Sequence, residues 1–175
     1  MAEISPQEAG RKGGEKVRTL IEAGKSEAAG DPTLMLKSDH DRVKQLFREF
    51  EHTTGQRLAS ARQACLELQV HTRLEEELFY PAARKRASGR LLELLDDALE
   101  EHEEAKFVID RLLTKQSVDS SFEDQFSSLQ QIILHHVEEE ENEMFELAKQ
   151  AIGGQADELQ RQMKVRKKEL ESLIH

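Results

Sequence analysis

The chain has 175 residues, a formal net charge of −10, 37% hydrophobic and 34% charged residues, and only three prolines and nine glycines. This length suits one domain with tails, and the composition is typical of surface-charged helices, so we predict an all-α fold. The acidic balance excludes nucleic acid as a partner, because phosphate contacts need lysines and arginines gathered on one face. A single cysteine, Cys65, excludes an internal disulfide. The first thirty residues contain no apolar run for a signal or membrane span, which predicts a cytoplasmic protein without a membrane partner.

The chain is predicted to divide into three parts. Residues 1–30 combine charges with five of the nine glycines, which predicts a flexible tail. Asp31-Pro32 then suits the N-cap and first position of a helix, which opens a four-helix bundle over residues 31–152. Gly153-Gly154 ends that bundle, and residues 153–175 are predicted to carry a short amphipathic helix.

Four apolar seams with helical spacing predict an antiparallel up-down-up-down bundle, because the connections between them are short. Thr53-Thr54-Gly55 separates the first two helices, and Pro81 is expected to kink or fray the end of the second. The seams are Leu36, His40, Val43, Phe47, Phe50; then Ala61, Ala64, Leu68, His71, Glu75, Leu78, Ala82; then Leu91, Leu95, Ala98, His102, Ala105, Ile109, Leu112; then Phe122, Phe126, Leu129, Ile133, His136, Glu140, Met144, Leu147.

The C-terminal segment places apolar residues along one helical face. We expect it to pack across the bundle as a fifth helix; a dimer contact is the alternative, so the chain is predicted to be a monomer or a weak dimer. The basic run from Lys164 to Lys168 is interpreted as a solvated face. The apolar positions of this face are Ala156, Leu159, Met163, Leu170 and Leu173.

Six polar side chains occupy seam positions where a core needs Leu or Ala. Burying such groups without partners costs about 1–3 kcal/mol each, so packing alone does not select them. Residues four apart share one helix face, so each His-to-Glu step offers a nitrogen and an oxygen to one small volume. A lone inward histidine is more often a hydrogen-bonded core residue, but one on each of four helices favours a metal site. The candidate ligands are His40, His71, Glu75, His102, His136 and Glu140.

The candidate ligands form an internal pseudo-repeat. A histidine, 30 intervening residues and the step His71-to-Glu75 follow one another in the first half. The same order recurs in the second half with 33 intervening residues before His136. Lys44 and Lys106 also stand at the same offset in their halves. Two helical hairpins of similar design are therefore predicted.

Other polar residues are interpreted as outside the ligand set. His135 offers a competing pair with Glu139 but lies off the seam, and His52 and His175 are expected to face solvent. Cys65 is interpreted as a small buried hydrophobe, and Tyr80 as a packing residue, with a redox or supporting role as the alternative. Glu76 and Glu141 are candidates to support the ligands from outside, while the other acids of 138–141 are expected to form a hydrated face.

Four imidazoles, two carboxylates and no thiolate suit iron or manganese better than zinc, which prefers a four-coordinate structural site. Two carboxylates shared among four histidines predict two metal ions. Each would have two nitrogens and two bridging oxygens, leaving positions for an oxo or hydroxo bridge and a small ligand. The choice between iron and manganese stays open at this point.

These ordered motifs resemble the hemerythrin-like, or HHE cation-binding, family over residues 32–150. The motifs are Asp39-His40, His71 to Glu75 followed by ELFYP, Glu101-His102, and His136 to Glu140 followed by ENEMF. The resemblance implies a four-helix bundle with a non-haem centre of two iron ions. His40, His71, His102 and His136 would then be terminal ligands, and Glu75 and Glu140 the bridges.

This chain differs in two ways from the oxygen carriers of the family. Those proteins have a fifth histidine one turn after the third-helix histidine, where this chain has Lys106, and their last carboxylate comes one residue later. The pattern instead resembles a branch that includes cluster-repair proteins, an iron sensor and proteins linked to peroxide or nitric oxide. We therefore expect a di-iron protein of oxidative stress or oxygen binding that binds or turns over peroxide, NO or O2. An iron- or oxygen-sensing module without catalysis is the alternative, so enzyme activity stays open, and a purely structural metal bundle is a third interpretation.

Overall fold

The computed structural model describes residues 30–174, and every regular element in this range is helical. The all-α prediction is confirmed. Residues 1–29, which make up nearly all of the predicted tail, and His175 lie outside the described residues. Within the described range, no helix is both long and apolar enough to cross a membrane.

Four long helical segments form the bundle, and a fifth follows them. Two of the four are interrupted by a π-helical segment, so each consists of an α-helix, a π segment and a second α-helix. In chain order the elements are α1 (Pro32–His52); α2 (Arg57–Leu74), the first π segment (Glu75–Phe79) and α3 (Tyr80–Arg84); α4 (Arg90–Thr114); α5 (Ser120–Glu139), the second π segment (Glu140–Met144) and α6 (Phe145–Ile152); and α7 (Ala156–Ile174).

The helix ends follow from local chemistry. Asp31 caps α1, since its carboxylate accepts a hydrogen bond from the backbone N–H of Thr33 at 3.0 Å, and Pro32 occupies the first turn. Asp119 caps α5 in the same way through Phe122 at 2.8 Å. Gly153 ends α6 with a φ of +54°, a conformation that side chains other than glycine rarely adopt.

Two apolar clusters make up the core, and the candidate ligands lie between them along each helix. On α1, Leu36 belongs to one cluster and Val43 to the other, with His40 between them. α4 shows the same change of cluster, from Ala98 to Ala105, across His102. Along α1 and α4 the chain passes from the cluster that contains Leu36 to the cluster that contains Val43. Along α2 and α5, with the π segments that follow them, it passes in the opposite direction. This is the order expected of helices that alternate in direction.

The two π segments change which residues face inward. The backbone N–H of Tyr80 bonds to Glu75 O, and that of Phe145 bonds to Glu140 O, five residues back in each case. The wider turn shifts the later register by about one residue. The predicted inward positions Leu78, Ala82 and Leu147 are therefore only half-buried. Phe79, Ala83 and Ala148 are buried instead.

The helix does not end at Pro81, the position where a kink or fraying is predicted. The residue lies in the first turn of α3, directly after the first π segment, and the helix continues to Arg84. A proline normally clashes with the carbonyl four residues earlier. The widened turn before Pro81 relieves this contact, which explains why the helix continues.

The fifth helix, α7, packs against α1, α2 and the first π segment. Leu159, Met163 and Leu170 are buried in this contact, as the amphipathic pattern predicts. Leu173 is 71% exposed and was wrongly assigned to the buried face. The Gln160 side chain donates to the carbonyl of Asp31 at 3.3 Å, which joins α7 to the start of α1.

Candidate metal centre

Four histidines, one from each long helical segment, meet in the layer between the two apolar clusters. His40 and His71 come from the first hairpin, His102 and His136 from the second, and all four are buried. The Nε2 atoms of His40 and His71 are 3.1 Å apart, and those of His102 and His136 are 3.2 Å apart. The nitrogens therefore converge in two pairs, one for each hairpin.

Two carboxylates, Glu75 and Glu140, lie between these pairs, and both are fully buried. Glu75 Oε2 is 3.2 Å from His71 Nε2 and 3.3 Å from His102 Nε2. Glu140 Oε2 is 3.2 Å from His40 Nε2 and 3.4 Å from His136 Nε2. Each carboxylate thus stands beside one histidine of each hairpin.

The donor atoms fit a pair of cations. Glu75 Oε1 and Glu140 Oε2 are buried and have no hydrogen-bond partner among the described residues. A buried polar atom without a partner costs about 1–3 kcal/mol, and more when it is charged. The six side chains separate into two groups of potential ligands, one with His40, His71, Glu75 and Glu140, the other with Glu75, His102 and His136.

Each histidine has a second carboxylate beside its other ring nitrogen, which accepts a hydrogen bond from three of them but not from His71. An Nδ1–H that donates to such a carboxylate leaves Nε2 unprotonated and free to bind a metal. Three of these contacts are 2.8–3.0 Å long, whereas the fourth, between His71 Nδ1 and Asp39 Oδ2, is 3.7 Å. The pairs are His40 with Glu141, His71 with Asp39, His102 with Glu76, and His136 with Glu101.

The buried groups shift one another's ionisation. Burial alone would lower the pKa of His71, but the neighbouring Glu75 and Asp39 carboxylates raise the pKa to about 10. Burial would raise the pKa of Glu140, but His136 and His40 hold it well below its usual range. The carboxylates are therefore ionised at neutral pH, as metal ligands must be.

Tyr80 points its hydroxyl into the site. The hydroxyl donates to Glu140 Oε1 at 2.8 Å, and it lies 3.3 Å from Glu75 Oε2 and 3.4 Å from His102 Nε2. Burial and the two carboxylates raise the pKa of Tyr80 well above its usual value, so it remains a donor. The interpretation as a packing residue was incomplete. In an unbroken α-helix Tyr80 would face away from Glu75, and the first π segment turns it inward.

Three lysines contact the orienting carboxylates. Lys44 Nζ is 3.4 Å from Glu141, and Lys106 Nζ is 2.8 Å from Glu76, so the two lysines at the same offset make equivalent contacts. Lys167 of α7 forms an ion pair with Asp39. The basic run of α7 is therefore not only a solvated face, because this lysine reaches the edge of the centre.

A small apolar cavity adjoins the centre. Three candidate ligands form one wall, and Thr72 together with aliphatic side chains from α1, α2 and α5 forms the rest. The space for the centre of a water-sized molecule is about 10 Å³, close to the minimum that one water needs. Its lining residues are His40, Val43, Leu68, His71, Thr72, Ile133, His136 and Val137.

The remaining candidates lie away from the centre. His135 is 64% exposed, and His52 is exposed at the end of α1. Cys65 is buried in the apolar core, where burial raises its pKa to about 12, so it offers no thiolate near neutral pH. His175 lies outside the described residues.

Asp39 and Glu101 are the supporting residues that sequence reasoning missed. Both directly precede a candidate histidine, but each orients the histidine of the neighbouring helix rather than its own neighbour in sequence. The signal was present in the pseudo-repeat, because Asp39-His40 and Glu101-His102 occupy equivalent positions. The two residues predicted as supporters, Glu76 and Glu141, make the expected kind of contact.

An all-helical bundle with buried groups of histidines and carboxylates defines a cation-binding helical domain. The model of the hemerythrin HHE cation-binding domain family matches residues 20–148, and the chain belongs to that family. Its fold is similar to the crystal structure of a hemerythrin HHE cation-binding domain-containing protein from Mycobacterium kansasii, with a TM-score of 0.64 and 25% sequence identity. That similarity covers 78% of this chain and 85% of the other. No curated protein sequence matches.

Proposed function

We propose that the centre holds two iron ions and binds or turns over a small redox ligand. His40, His71, His102 and His136 would hold the ions as terminal ligands, and Glu75 and Glu140 would be shared between them. The observation that carries this proposal is the position of each buried carboxylate, which lies within 3.4 Å of a histidine from each hairpin. A carboxylate in that position can serve two cations at once.

The donor set favours iron over zinc. Four imidazole nitrogens and two carboxylates suit iron, whereas structural zinc sites are usually four-coordinate and often contain thiolates. The one cysteine, Cys65, is in the apolar core and does not contribute. Manganese shares the oxygen preference, but two imidazoles for each ion favour iron.

A pair of iron ions in this layer supplies one-electron chemistry and open coordination positions for a small ligand. The chain supports it by excluding bulk water with two apolar clusters and by leaving one small cavity beside His40, His71 and His136. This cavity is close to the size of one water molecule, so any ligand that it takes is small. The Tyr80 hydroxyl holds a proton next to both carboxylates, where it can donate to them or to a bound ligand.

Reaction with peroxide or NO is proposed over storage of O2. Lys106 stands where oxygen carriers of the family have a fifth histidine, and its amine bonds to Glu76 and Glu103. One fewer imidazole leaves a position open for exchange. A bound O2 would therefore be poorly protected against oxidation of the centre.

A sensor without catalysis is the second candidate, and one contact favours it. Lys167 connects α7 to Asp39, which lies beside His71. A change at His71 on metal binding can therefore reach α7. We further propose that the chain is cytoplasmic and is a monomer or a weak dimer, which fractionation and size-exclusion chromatography would test.

Metal analysis of the purified chain tests the di-iron proposal. We expect about two iron ions per chain and a near-ultraviolet charge-transfer band. Iron and manganese should be offered together during expression, so that the chain selects between them. One zinc ion per chain without the band would refute the proposal.

Ligand reactivity separates the redox candidate from a carrier. We expect the spectrum of the iron-loaded chain to change on addition of NO or H2O2, with no stable oxygenated form in air. Lys106→His should shift the spectrum, whereas the control variant Lys115→His, just beyond the end of α4 and away from the centre, should not. Clean cycling between oxygenated and deoxygenated forms, without peroxide or NO reactivity, would replace the proposal with the carrier role. Metal binding without any reactivity would favour the sensor.

A further inference from the structure

Outside the buried centre, a further group of potential metal ligands lies at the surface of the second hairpin. It consists of Glu101 on α4 and His135 and Glu139 on α5, and one donor atom of each lies within 4.8 Å of the others. His135 and Glu139 are four residues apart, so they share one face of α5. Glu139 forms no ion pair with any residue in the range 30–174, which leaves its carboxylate available.

Glu101 joins this group to the buried centre. Its Oε1 accepts from His135 Nδ1 at 2.9 Å, and its Oε2 accepts from His136 Nδ1 at 3.0 Å. One carboxylate therefore contacts both an exposed histidine and a proposed iron ligand. A cation held by Glu101 and His135 would withdraw electron density from the carboxylate that orients His136.

Among residues 30–174 the first hairpin has no such group, although the pseudo-repeat supplies the equivalent positions. Val70 and Leu74 stand where the second hairpin has His135 and Glu139, and both are buried. There α7 packs on the hairpin, and Lys167 neutralises Asp39, the counterpart of Glu101. On the second hairpin no described element supplies a cation to Glu101, and two metal-binding side chains surround it instead.

We propose that Glu101, His135 and Glu139 form a solvent-accessible divalent transition-metal site, with zinc as the ion of best fit. One imidazole and two carboxylates are zinc ligands at about 2.0–2.2 Å, and three protein ligands with an open fourth position are a common zinc arrangement. The imidazole selects against magnesium, which prefers oxygen ligands and keeps most of its water. A cation bound at this site would lie beside Glu101, as Lys167 lies beside Asp39 on the first hairpin.

The test is equilibrium dialysis of the iron-loaded full chain against Zn²⁺, with zinc and iron both counted by elemental analysis. We expect one zinc per chain with the iron retained, and no comparable uptake of Mg²⁺. His135→Ala and Glu139→Gln should each weaken zinc binding at least about tenfold, in line with the loss of one ligand. His52→Ala removes another exposed histidine and should leave zinc uptake unchanged.

Two outcomes would overturn the proposal. The first is equal zinc uptake by the unchanged chain and His135→Ala, and the second is uptake matched by an equal loss of iron. The double variant His71→Ala, His102→Ala keeps the test independent of the iron proposal. If that variant folds, by circular dichroism, it should still bind zinc in a His135-dependent manner. Coupling to the buried centre is measured separately, as a zinc-dependent shift of the near-ultraviolet band that Glu139→Gln abolishes.

Discussion

The two helical hairpins follow one plan but differ in what surrounds it. In each hairpin an aromatic ring five residues after the carboxylate stacks on a histidine of the other hairpin: Phe145 on His40, with centroids 5.8 Å apart, and Tyr80 on His102, at 5.5 Å. Only Tyr80 adds a hydroxyl. The inner layer of the centre is therefore nearly symmetric, with one proton donor on one side.

The carboxylates that surround the candidate ligands, and their partners, differ more between the two hairpins. The fifth helix, α7, causes this difference. α7 covers the first hairpin, where Lys167 binds Asp39 and the carboxylate stands 3.7 Å from His71. No lysine in the described part of the chain pairs with Glu101, which stands 3.0 Å from His136. A duplicated ligand set can thus give two unequal metal positions when a single added element packs on one half.

Removal of a shared carboxylate should have the largest effect on iron content. Glu75→Ala should remove nearly all iron, because Glu75 lies beside histidines of both hairpins. His71→Ala and His102→Ala should each remove about half, one position per hairpin. Iron per chain by elemental analysis measures the effect, with His52→Ala as the control. If His52→Ala lost as much iron as His102→Ala, the ligand assignment would be wrong.

The orienting carboxylates should have the next largest effect. Asp39→Asn and Glu101→Gln each remove a carboxylate that fixes a histidine, and such changes cost about 10- to 100-fold in metal affinity. We expect the smaller loss for Asp39→Asn, because its contact with His71 is the longer one. Competition with a chelator measures affinity.

Lys167 tests whether α7 is the source of this asymmetry. Lys167→Met should weaken only the first-hairpin metal position, by a few-fold, and Lys167→Arg should restore it because the charge returns. A uniform loss at both positions, or no rescue by arginine, would indicate that α7 acts only through overall stability.

Tyr80→Phe would make the inner layers of the two hairpins alike. The change removes the donor to Glu140 Oε1 and leaves that buried oxygen without its hydrogen bond. The expected cost is about 1–3 kcal/mol in the free energy of unfolding, with iron content retained. Chemical denaturation of the iron-loaded chain measures this cost. A change within error would mean that the hydroxyl contributes little to the centre.

The smallest predicted effect is a pH dependence of the chelator-treated chain. The pKa of His71 in the folded chain, about 10, lies above its ordinary value of 6.5. A raised pKa gives stability that is full below about pH 6.5 and is lost as the pH rises through about 10. The free energy of unfolding should therefore fall across this window, and Asp39→Asn should reduce the fall. Equal slopes for the two proteins would exclude Asp39 as a source of the shift.

The sequence alone was sufficient to predict the helical fold and to predict that six polar seam residues come together. Apolar spacing identifies seams because a helix buries one stripe, and His40 or His102 in such a stripe contradicts simple packing. The structure buries all six candidates together, as the seams predicted. The pseudo-repeat further predicted two helical hairpins of similar design.

Which residues face inward after Glu75 and after Glu140 was decided only by the tertiary structure. A π segment depends on how the helix packs around its buried carboxylate, and spacing rules assume an unbroken α-helix. The inward position of Tyr80 follows from that local change. Asp39 also contacts His71 and Lys167, which are distant from it in sequence. These contacts depend on how the helices pack, including where α7 docks, and not on any pattern within one helix.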